Sequence, residues 1–289
     1  MNISGRRELY RSILESDKCV CPASVYDPIS ARIAEDLGFE VGMFAGSIGS
    51  ATILGDPDLI VLTLSEFAQQ ARRICRASHI SLMVDADHGY GNALNVRRTV
   101  EELENAGVSA LTIEDTLLPK SFGNEDGVEL ISIEEGVGKM KSALDGREDS
   151  SLVIAARTSA IQLEGIAGAV KRAKAYERVG VDALFVTGIT TREQIEELHH
   201  AVKLPLLLGG INEDHMDREY LADYGVRILL QGHLPFQAAV KAVYDTLDSL
   251  RHGTPPSDLR SNIASEDLMN QVTRKSEYNR RIKEYLGNN

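Results

Sequence analysis

The chain has 289 residues, of which 43% are hydrophobic and 26% are charged, and its 31 Lys+Arg against 43 Asp+Glu give a net charge of −12. These fractions are typical of a folded globular protein and exclude wholesale disorder. The acidic balance argues against nucleic acid as the main partner, although a bound cation would still let an anionic substrate enter. The length allows either one large α/β barrel or two ordinary domains.

The sequence carries no sign of membrane insertion or export. No stretch reaches the roughly 18 uninterrupted apolar residues of a membrane span, and segment 1–18 lacks the apolar core of a signal peptide. The three cysteines include Cys19 and Cys21, whose spacing does not indicate a disulfide framework. We therefore expect a cytoplasmic protein with reduced thiols.

Short apolar runs alternate with stretches of helical periodicity. The predicted strands are 19–24, 40–45, 81–85, 111–114, 152–157, 183–187, 205–208 and 227–231. The predicted helices are 30–37, 65–77, 93–105, 133–144, 165–179, 192–202, 215–224 and 236–250. Near-continuous apolar strands separated by helices indicate a parallel sheet covered on both faces. Eight such strands predict an α/β fold, a (β/α)8 TIM barrel, with 1–289 forming a single domain.

Two glycine-rich stretches lack the spacing of nucleotide-binding loops. Stretch 89–92 has no third glycine of a dinucleotide loop, and stretch 136–139 is preceded by Ile133 where a P-loop has its first glycine. The sequence therefore does not favour a doubly wound nucleotide-binding sheet.

Two segments do not fit the alternation. Segment 115–132 is a polar insertion after the fourth strand, and a loop of this length is typically a functional lid or a disordered stretch. We predict a lid, because the segment leaves the chemical face of the barrel. Segment 251–289 is a C-terminal helical extension in which Ser265 can cap a helix. Because eight helices already close a barrel, we expect the extension to pack on a partner subunit.

Acidic residues stand at the ends of two neighbouring predicted strands. Asp85 and Asp87 follow the third strand, and Glu114 ends the fourth. The chemistry of a (β/α)8 barrel lies at the carboxyl ends of its strands. Asp85 and Asp87 point the same way if the strand geometry continues. An all-oxygen cluster suits Mg²⁺ or Mn²⁺, so we predict a metal site, the alternative being helix caps or solvated acids.

Three further residues follow other strands and suit an anionic ligand. Ser47 lies in a run of small residues, 45–50, that lets a carboxylate approach backbone N–H groups, although the run also suits an ordinary tight loop. Arg157 can hold a carboxylate through two parallel hydrogen bonds or form a salt bridge to a site acid. His233 can donate a hydrogen bond or transfer a proton, and a structural role is equally open.

The motifs at these positions resemble those of a known superfamily. Stretch 85–95 reads DADHGYGNALN, 114–119 reads EDTLLP and 155–158 reads AART. Together they resemble the phosphoenolpyruvate mutase/isocitrate lyase superfamily, and within it the bacterial oxaloacetate decarboxylases. The resemblance extends from residue 26 to residue 233.

The resemblance implies a barrel whose final helix is swapped between subunits, in dimers or tetramers of dimers. It also implies Mg²⁺ (or Mn²⁺) chelated by a 2-oxo acid substrate. By motif matching, Asp85 is the main metal ligand, while Asp58, Asp87 and Glu114 hold its waters.

For the substrate, the resemblance implies that Ser47 and Arg157 bind the carboxylate and oxo group, and that His233 binds the distal carboxylate region. Two departures from the family pattern matter. Stretch 119–123 has no cysteine where the lyases of the superfamily carry a catalytic one. Gly210 stands where the decarboxylases have a tyrosine after the seventh strand, which leaves the preferred 2-oxo acid open.

These observations favour the decarboxylation of oxaloacetate to pyruvate and CO₂. A metal acting as a Lewis acid stabilises the enolate that remains when CO₂ leaves, and no covalent nucleophile is required. One alternative is cleavage or rearrangement of a phosphonopyruvate-type C–P bond. Another is a non-catalytic barrel that binds a 2-oxo acid.

Overall fold

The apolar runs of the sequence form the strands of one closed sheet. The computed structural model describes residues 2–120, 122–123, 127–212, 214 and 217–287. Within these residues, eight parallel strands are hydrogen-bonded to their neighbours in chain order. The strands are β1 (Ala23–Ser24), β2 (Val41–Phe44), β3 (Ser81–Asp85), β4 (Ala110–Glu114), β5 (Val153–Thr158), β6 (Ala183–Thr187), β7 (Leu206–Gly209) and β8 (Val226–Leu229).

The sheet closes where the chain approaches β1. Val20 donates a backbone hydrogen bond to Arg227 of β8 (2.8 Å) and accepts one from Leu229 (2.9 Å). Every residue of β2, β3 and β4 is buried, as expected for strands covered on both faces. The predicted (β/α)8 barrel is confirmed, and seven of the eight predicted strands differ from their predicted ranges by at most two residues at either end. The first strand is much shorter than predicted: only Ala23–Ser24 of the range 19–24 form β1, and Val20 makes an isolated bridge to β8.

Helices follow the strands and in most cases agree with the periodicity. The helices are α1 (Ile3–Glu15), α2 (Pro28–Asp36), α3 (Gly46–Gly49), α4 (Leu64–Ala77), α5 (Ala93–Ala106), α6 (Ile133–Gly146), α7 (Ala160–Val179), α8 (Arg192–Ala201), α9 (Arg218–Asp223), α10 (Leu234–Arg251), α11 (Glu266–Val272) and α12 (Lys275–Leu286). Gly107 and Gly180 end α5 and α7 in the left-handed conformation, with φ of 94° and 95°.

Several helices differ from the prediction. Helices α1 and α3 lie outside every predicted helical range. Helix α7 begins at Ala160 rather than at 165, because a non-helical Gly165 (φ 70°) separates its first turn from the remainder. Helix α9 begins at Arg218, and the start of its predicted range, at His215 and Met216, lies outside the described residues.

The base of segment 115–132 is held by two antiparallel contacts. Leu117 donates a backbone hydrogen bond to Glu129 (2.8 Å), and Ile131 donates one to Asp115 (2.9 Å). Residues 121 and 124–126 lie outside the described part of the chain. Whether the segment closes as a lid therefore stays a prediction.

The chain divides into two compact units, Met1–His233 with the eight strands and Leu234–Asn289 with the last three helices. In the second unit, Ser265 caps α11 by accepting a hydrogen bond from the Leu268 backbone N–H (3.2 Å). Arg274 adopts a left-handed conformation (φ 58°), so two short helices stand where we expected one. No described helix is both long and apolar enough to cross a membrane. Packing on a partner subunit and helix swapping stay predictions.

Candidate active site

The carboxyl ends of the strands surround a cavity of about 590 Å³. The cavity is lined by all seven predicted site residues, which are Ser47, Asp58, Asp85, Asp87, Glu114, Arg157 and His233. They come from separate parts of the sequence, and the parallel sheet brings them together because every strand ends at the same mouth.

Asp85 and Asp87 reach the cavity by different backbone geometries. Asp85 is the last residue of β3, and its carboxylate accepts hydrogen bonds from the Thr112 hydroxyl (3.0 Å) and from the Asp87 backbone N–H (3.2 Å). Asp87 has a left-handed backbone, with φ of 47°. The expectation of a continued strand is therefore wrong at Asp87, although both carboxylates line the same cavity as predicted.

Arg157 lies among these acids. It is part of β5, its guanidinium forms an ion pair with Asp85, and a second nitrogen lies 3.4 Å from the Glu114 carboxylate. Its guanidinium carbon also lies 5.5 Å from the centre of the Phe185 ring, within cation–π range. The sequence left two roles open for Arg157, a salt bridge to a site acid or binding of a ligand carboxylate. The structure contains the salt bridge, and Arg157 also lines the cavity, where a ligand could reach it.

Burial, followed by nearby negative charge, disfavours the ionised state of Asp58, Asp87 and Glu114. Burial, followed by the neighbouring carboxylates and foremost that of Asp85, raises the pKa of Asp87 well above its ordinary value. Desolvation and the charge of Asp85 raise the pKa of Asp58. Burial raises the pKa of Glu114, and the nearby Arg157 partly offsets this effect. Four carboxylates beside one guanidinium leave an excess of negative charge that suits a divalent cation.

The acids of the cavity supply only oxygen donors. Carboxylate oxygens are the ligands that Mg²⁺ and Mn²⁺ prefer, and Mg²⁺ often binds through one or two carboxylates with water filling the other positions. The chemistry of the donor set therefore fits such a cation. Among the described residues, no group of three or more His, Cys, Asp or Glu side chains is arranged to hold a metal ion without further ligands.

His233 and Ser47 lie on other parts of the cavity wall. The Nδ1 atom of His233 is 2.8 Å from the Ser24 hydroxyl. Burial lowers the pKa of His233, and the charge of Asp85 opposes this effect only partly. Ser47 lies in α3, a short helix formed by the run of small residues for which the sequence left an ordinary tight loop as the alternative.

Sequence reasoning missed several residues that shape the cavity. Ser24 ends the first predicted strand, and the rule applied to the other strand ends could have identified it. Phe185 lies inside an apolar run and carries no such signal. Gly46 lacks a side chain where a Cβ atom would overlap the carboxylate of Asp87.

The sequence of the chain is similar to those of a known protein family. The sequence model of the phosphoenolpyruvate phosphomutase family matches residues 10–251. The chain is 55% identical over 287 residues to an oxaloacetate decarboxylase of Bradyrhizobium sp. (strain ORS 278), and the match covers 99% of each chain.

Two solved structures are similar over nearly their whole length. One is phosphonopyruvate hydrolase in complex with oxalate and Mg²⁺, with a TM-score of 0.85, 27% identity, and coverage of 97% of this chain and 99% of that chain. The other is oxaloacetate acetylhydrolase in complex with the inhibitor 3,3-difluorooxalacetate, with a TM-score of 0.84, 28% identity, and coverage of 99% and 98%.

Proposed function

The chain belongs to the phosphoenolpyruvate phosphomutase family, and we propose that it is a carboxy-lyase that converts oxaloacetate to pyruvate and CO₂. The observation that carries the proposal is the convergence of Asp58, Asp85, Asp87 and Glu114 on one cavity that also contains Arg157. The full-length similarity to oxaloacetate decarboxylases supports the choice of substrate.

The four carboxylates are proposed to hold Mg²⁺, with Mn²⁺ as a substitute. Asp85 contacts the ion, while Asp58, Asp87 and Glu114 hold its water molecules. When bound, the cation supplies electrostatic stabilisation of the negative charge that develops on the 2-oxo oxygen of the substrate. Thr112 and Thr116 keep the acids oriented, since their hydroxyls donate to Asp85 and Glu114 at 3.0 Å each.

Ser47 and Arg157 are proposed to bind the carboxylate and oxo group of the substrate. A guanidinium can donate two parallel hydrogen bonds to a carboxylate, which fixes its orientation. Asp85 and Glu114 hold Arg157 from one side, and the ring of Phe185 lies against it. This support limits the rotamers of Arg157 and so favours a single binding geometry for the ligand.

His233 is proposed to bind the distal carboxylate, the group that leaves as CO₂. The lowered pKa keeps its imidazole neutral at neutral pH. When the Ser24 hydroxyl donates to Nδ1, the ring proton is on Nε2 and can be donated to the substrate. A neutral imidazole binds a carboxylate less tightly than a charged imidazolium does. Weaker binding suits the distal carboxylate, because this group loses its charge when it leaves as CO₂.

The proposed reaction needs no thiol. None of the cavity-lining residues that the structure describes is a cysteine. This agrees with loss of CO₂, in which the C–C bond to the distal carboxylate breaks without attack by a protein nucleophile. The electron pair of that bond stays on the remaining enolate, which takes a proton from water to give pyruvate.

The decisive experiment measures pyruvate formation from oxaloacetate with and without Mg²⁺. We expect metal-dependent turnover in the wild type and a loss of at least about a thousandfold in Asp85→Ala, equivalent to about 4 kcal/mol in the transition state. Asp56→Ala, which changes an exposed acid that does not line the cavity, serves as the matched control.

Three outcomes would contradict the proposal. Full metal-dependent activity in Asp85→Ala would show that the metal site is wrong. Phosphate release from phosphonopyruvate, without turnover of oxaloacetate, would instead favour C–P bond chemistry, the second candidate, which the similarity to phosphonopyruvate hydrolase supports. Binding of oxalate without turnover of either compound would indicate a non-catalytic barrel.

We also propose that the chain acts as a homo-oligomer, a dimer or a tetramer built as a dimer of dimers. Large apolar side chains of α10 are exposed, among them Leu234, Val243 and Leu247. Exposed apolar residues in such number typically mark a protein interface. The region 251–289 is proposed to pack on the partner subunit.

A further inference from the structure

A lysine is buried beneath the loop that carries Asp87. Lys139 of α6 is only 3% exposed, and its ammonium group donates a hydrogen bond to the backbone carbonyl of His88 at 2.9 Å. It forms no salt bridge with any carboxylate that the structure describes. Buried charges are normally paired with an opposite charge, because removal from water is unfavourable. A lysine in this position therefore calls for a reason other than packing.

The loop that Lys139 holds has an unusual backbone. Asp87 and Tyr90 both adopt positive φ angles, of 47° and 59°. Such angles are unfavourable for residues with a side chain and persist only where the surroundings hold them in place.

Three consecutive carbonyl groups of this loop are held from three different elements. The Asp87 carbonyl accepts a hydrogen bond from the Glu114 backbone N–H of β4 at 2.8 Å. The His88 carbonyl accepts from Lys139 of α6, and the Gly89 carbonyl accepts from the Thr99 hydroxyl of α5 at 3.0 Å. The two helices thus hold two consecutive carbonyl groups of the loop through residues that do not line the cavity. Lys139 supplies the charged, and hence stronger, of their two hydrogen bonds.

We propose that Lys139 is a positioning residue for the cation site: it holds the His88 carbonyl and thereby fixes the Asp87 carboxylate in the cavity. The inference rests on the cation site of the proposed function. Lys139 touches neither the substrate nor the ion in this arrangement. It acts through the backbone of the loop, as groups outside the ligand shell of a metal commonly do.

The test measures Mn²⁺ affinity directly, by the electron paramagnetic resonance signal of free Mn²⁺, so it does not require turnover. We expect Lys139→Met to bind Mn²⁺ about 10- to 100-fold more weakly than the wild type. Lys141→Met, which changes an exposed lysine of the same helix, is the matched control and should bind as the wild type does. Thr99→Val should also weaken Mn²⁺ binding, because it removes the neighbouring hydrogen bond with little change of shape.

A merely structural role would give a different pattern. Lys139→Met would then melt at a lower temperature in EDTA but, when folded, would bind Mn²⁺ with wild-type affinity. If Lys139 positions the site, the concentration of metal needed for half-maximal activity rises, while kcat at saturating metal stays close to the wild-type value.

Each remaining outcome is decisive. Wild-type Mn²⁺ affinity in folded Lys139→Met overturns the inference and leaves the proposed function intact. If Lys139→Met does not fold, wild-type affinity in Thr99→Val overturns the inference instead. Absence of Mn²⁺ binding by the wild-type protein overturns the cation site itself, and the inference with it.

Discussion

At the scale of single residues, the position of Asp87 depends on the missing side chain of Gly46. The carboxylate of Asp87 lies against the backbone of Gly46, where a Cβ atom would overlap both of its oxygens. Asp87 is buried and its loop is held from two helices, so it has little room to move aside. Glycine at position 46 is therefore required by the neighbouring acid and not by its own backbone angles.

Gly46→Ala should impair the site while leaving the fold intact. We expect the Mg²⁺ concentration at half-maximal activity to rise by about tenfold or more. Displacing a residue that orients the ligands of a metal ion typically weakens metal affinity by this amount. Gly138→Ala is the matched control, because no atom outside the adjacent backbone of its own helix lies within 4 Å of the place that its Cβ atom would take, and alanine favours a helix. Equal metal dependence in both variants would contradict the role given to Gly46.

Ser24 tests the orientation of His233. Ser24→Ala removes the partner of Nδ1, which leaves both ring tautomers and more ring orientations open. A single hydrogen bond contributes about 0.5–1.5 kcal/mol, so we expect kcat/KM for oxaloacetate to fall by about 2- to 12-fold. Mg²⁺ affinity should stay unchanged, because the Ser24 hydroxyl bonds to His233 and not to the carboxylates of the site. A variant that loses metal affinity instead would refute this assignment.

At the scale of elements, α1 binds the end of the barrel opposite the active site. Three arginines on this helix donate to backbone carbonyls of other elements. Arg6 donates to Cys75 and Ser78, Arg7 to Glu104 and Val108, and Arg11 to Ser151 and Leu152. Several of these carbonyls lie at or just beyond the ends of helices, which cations stabilise. Helix α1 therefore stabilises the barrel without entering the chemistry.

Arg7→Met should destabilise the protein strongly. Arg7 is buried, and its removal leaves the carbonyls of Glu104 and Val108 and the carboxylate of Asp149 without this donor. We expect a loss of about 3 kcal/mol in the free energy of unfolding, measured by urea denaturation. Arg72→Met, at an exposed position, should change it by less than about 0.5 kcal/mol. Similar values for the two variants would rule out the role given to α1.

At the scale of the whole molecule, the excess of acidic residues affects the entry of the substrate, whereas the exposed apolar residues bear on the proposed assembly. The net charge of −12 opposes the entry of a dianionic substrate. A cation held by the site acids would reverse the field at the cavity, where the substrate binds. In the proposed assembly, the exposed apolar residues of α10 and of the last two helices lie in the contact between subunits.

Sedimentation equilibrium should give the mass of a dimer or a tetramer for the wild-type chain at micromolar concentration. Val243→Glu combined with Leu247→Glu places two charges on α10 and should lower that mass, because burying unpaired charge in an interface is unfavourable. Gln237→Glu combined with Asp248→Glu changes two exposed polar positions of the same helix and is the control pair. A monomeric wild-type protein would contradict the proposed assembly.

The order of strands and helices could be predicted from the sequence, because the hydrophobic pattern reports local burial. Strands β3 and β6 coincide with the predicted ranges, and the glycines that end α5 and α7 have the expected backbone angles. The convergence of the seven predicted residues on one cavity was also predictable, since each follows a strand or matches a family motif. Helix α1 was not predicted, because its role depends on carbonyls distant in the sequence.

The sequence by itself determined the fold class and the acidic character of the site. Only the tertiary structure decided how Asp87 reaches the cavity, which residue hydrogen-bonds to His233, and which carbonyl group accepts the hydrogen bond from Lys139. The physical reason is that periodicity and strand ends are local properties, whereas a hydrogen bond such as that from Lys139 to the His88 carbonyl joins residues 51 positions apart. Such contacts exist only once the barrel has closed.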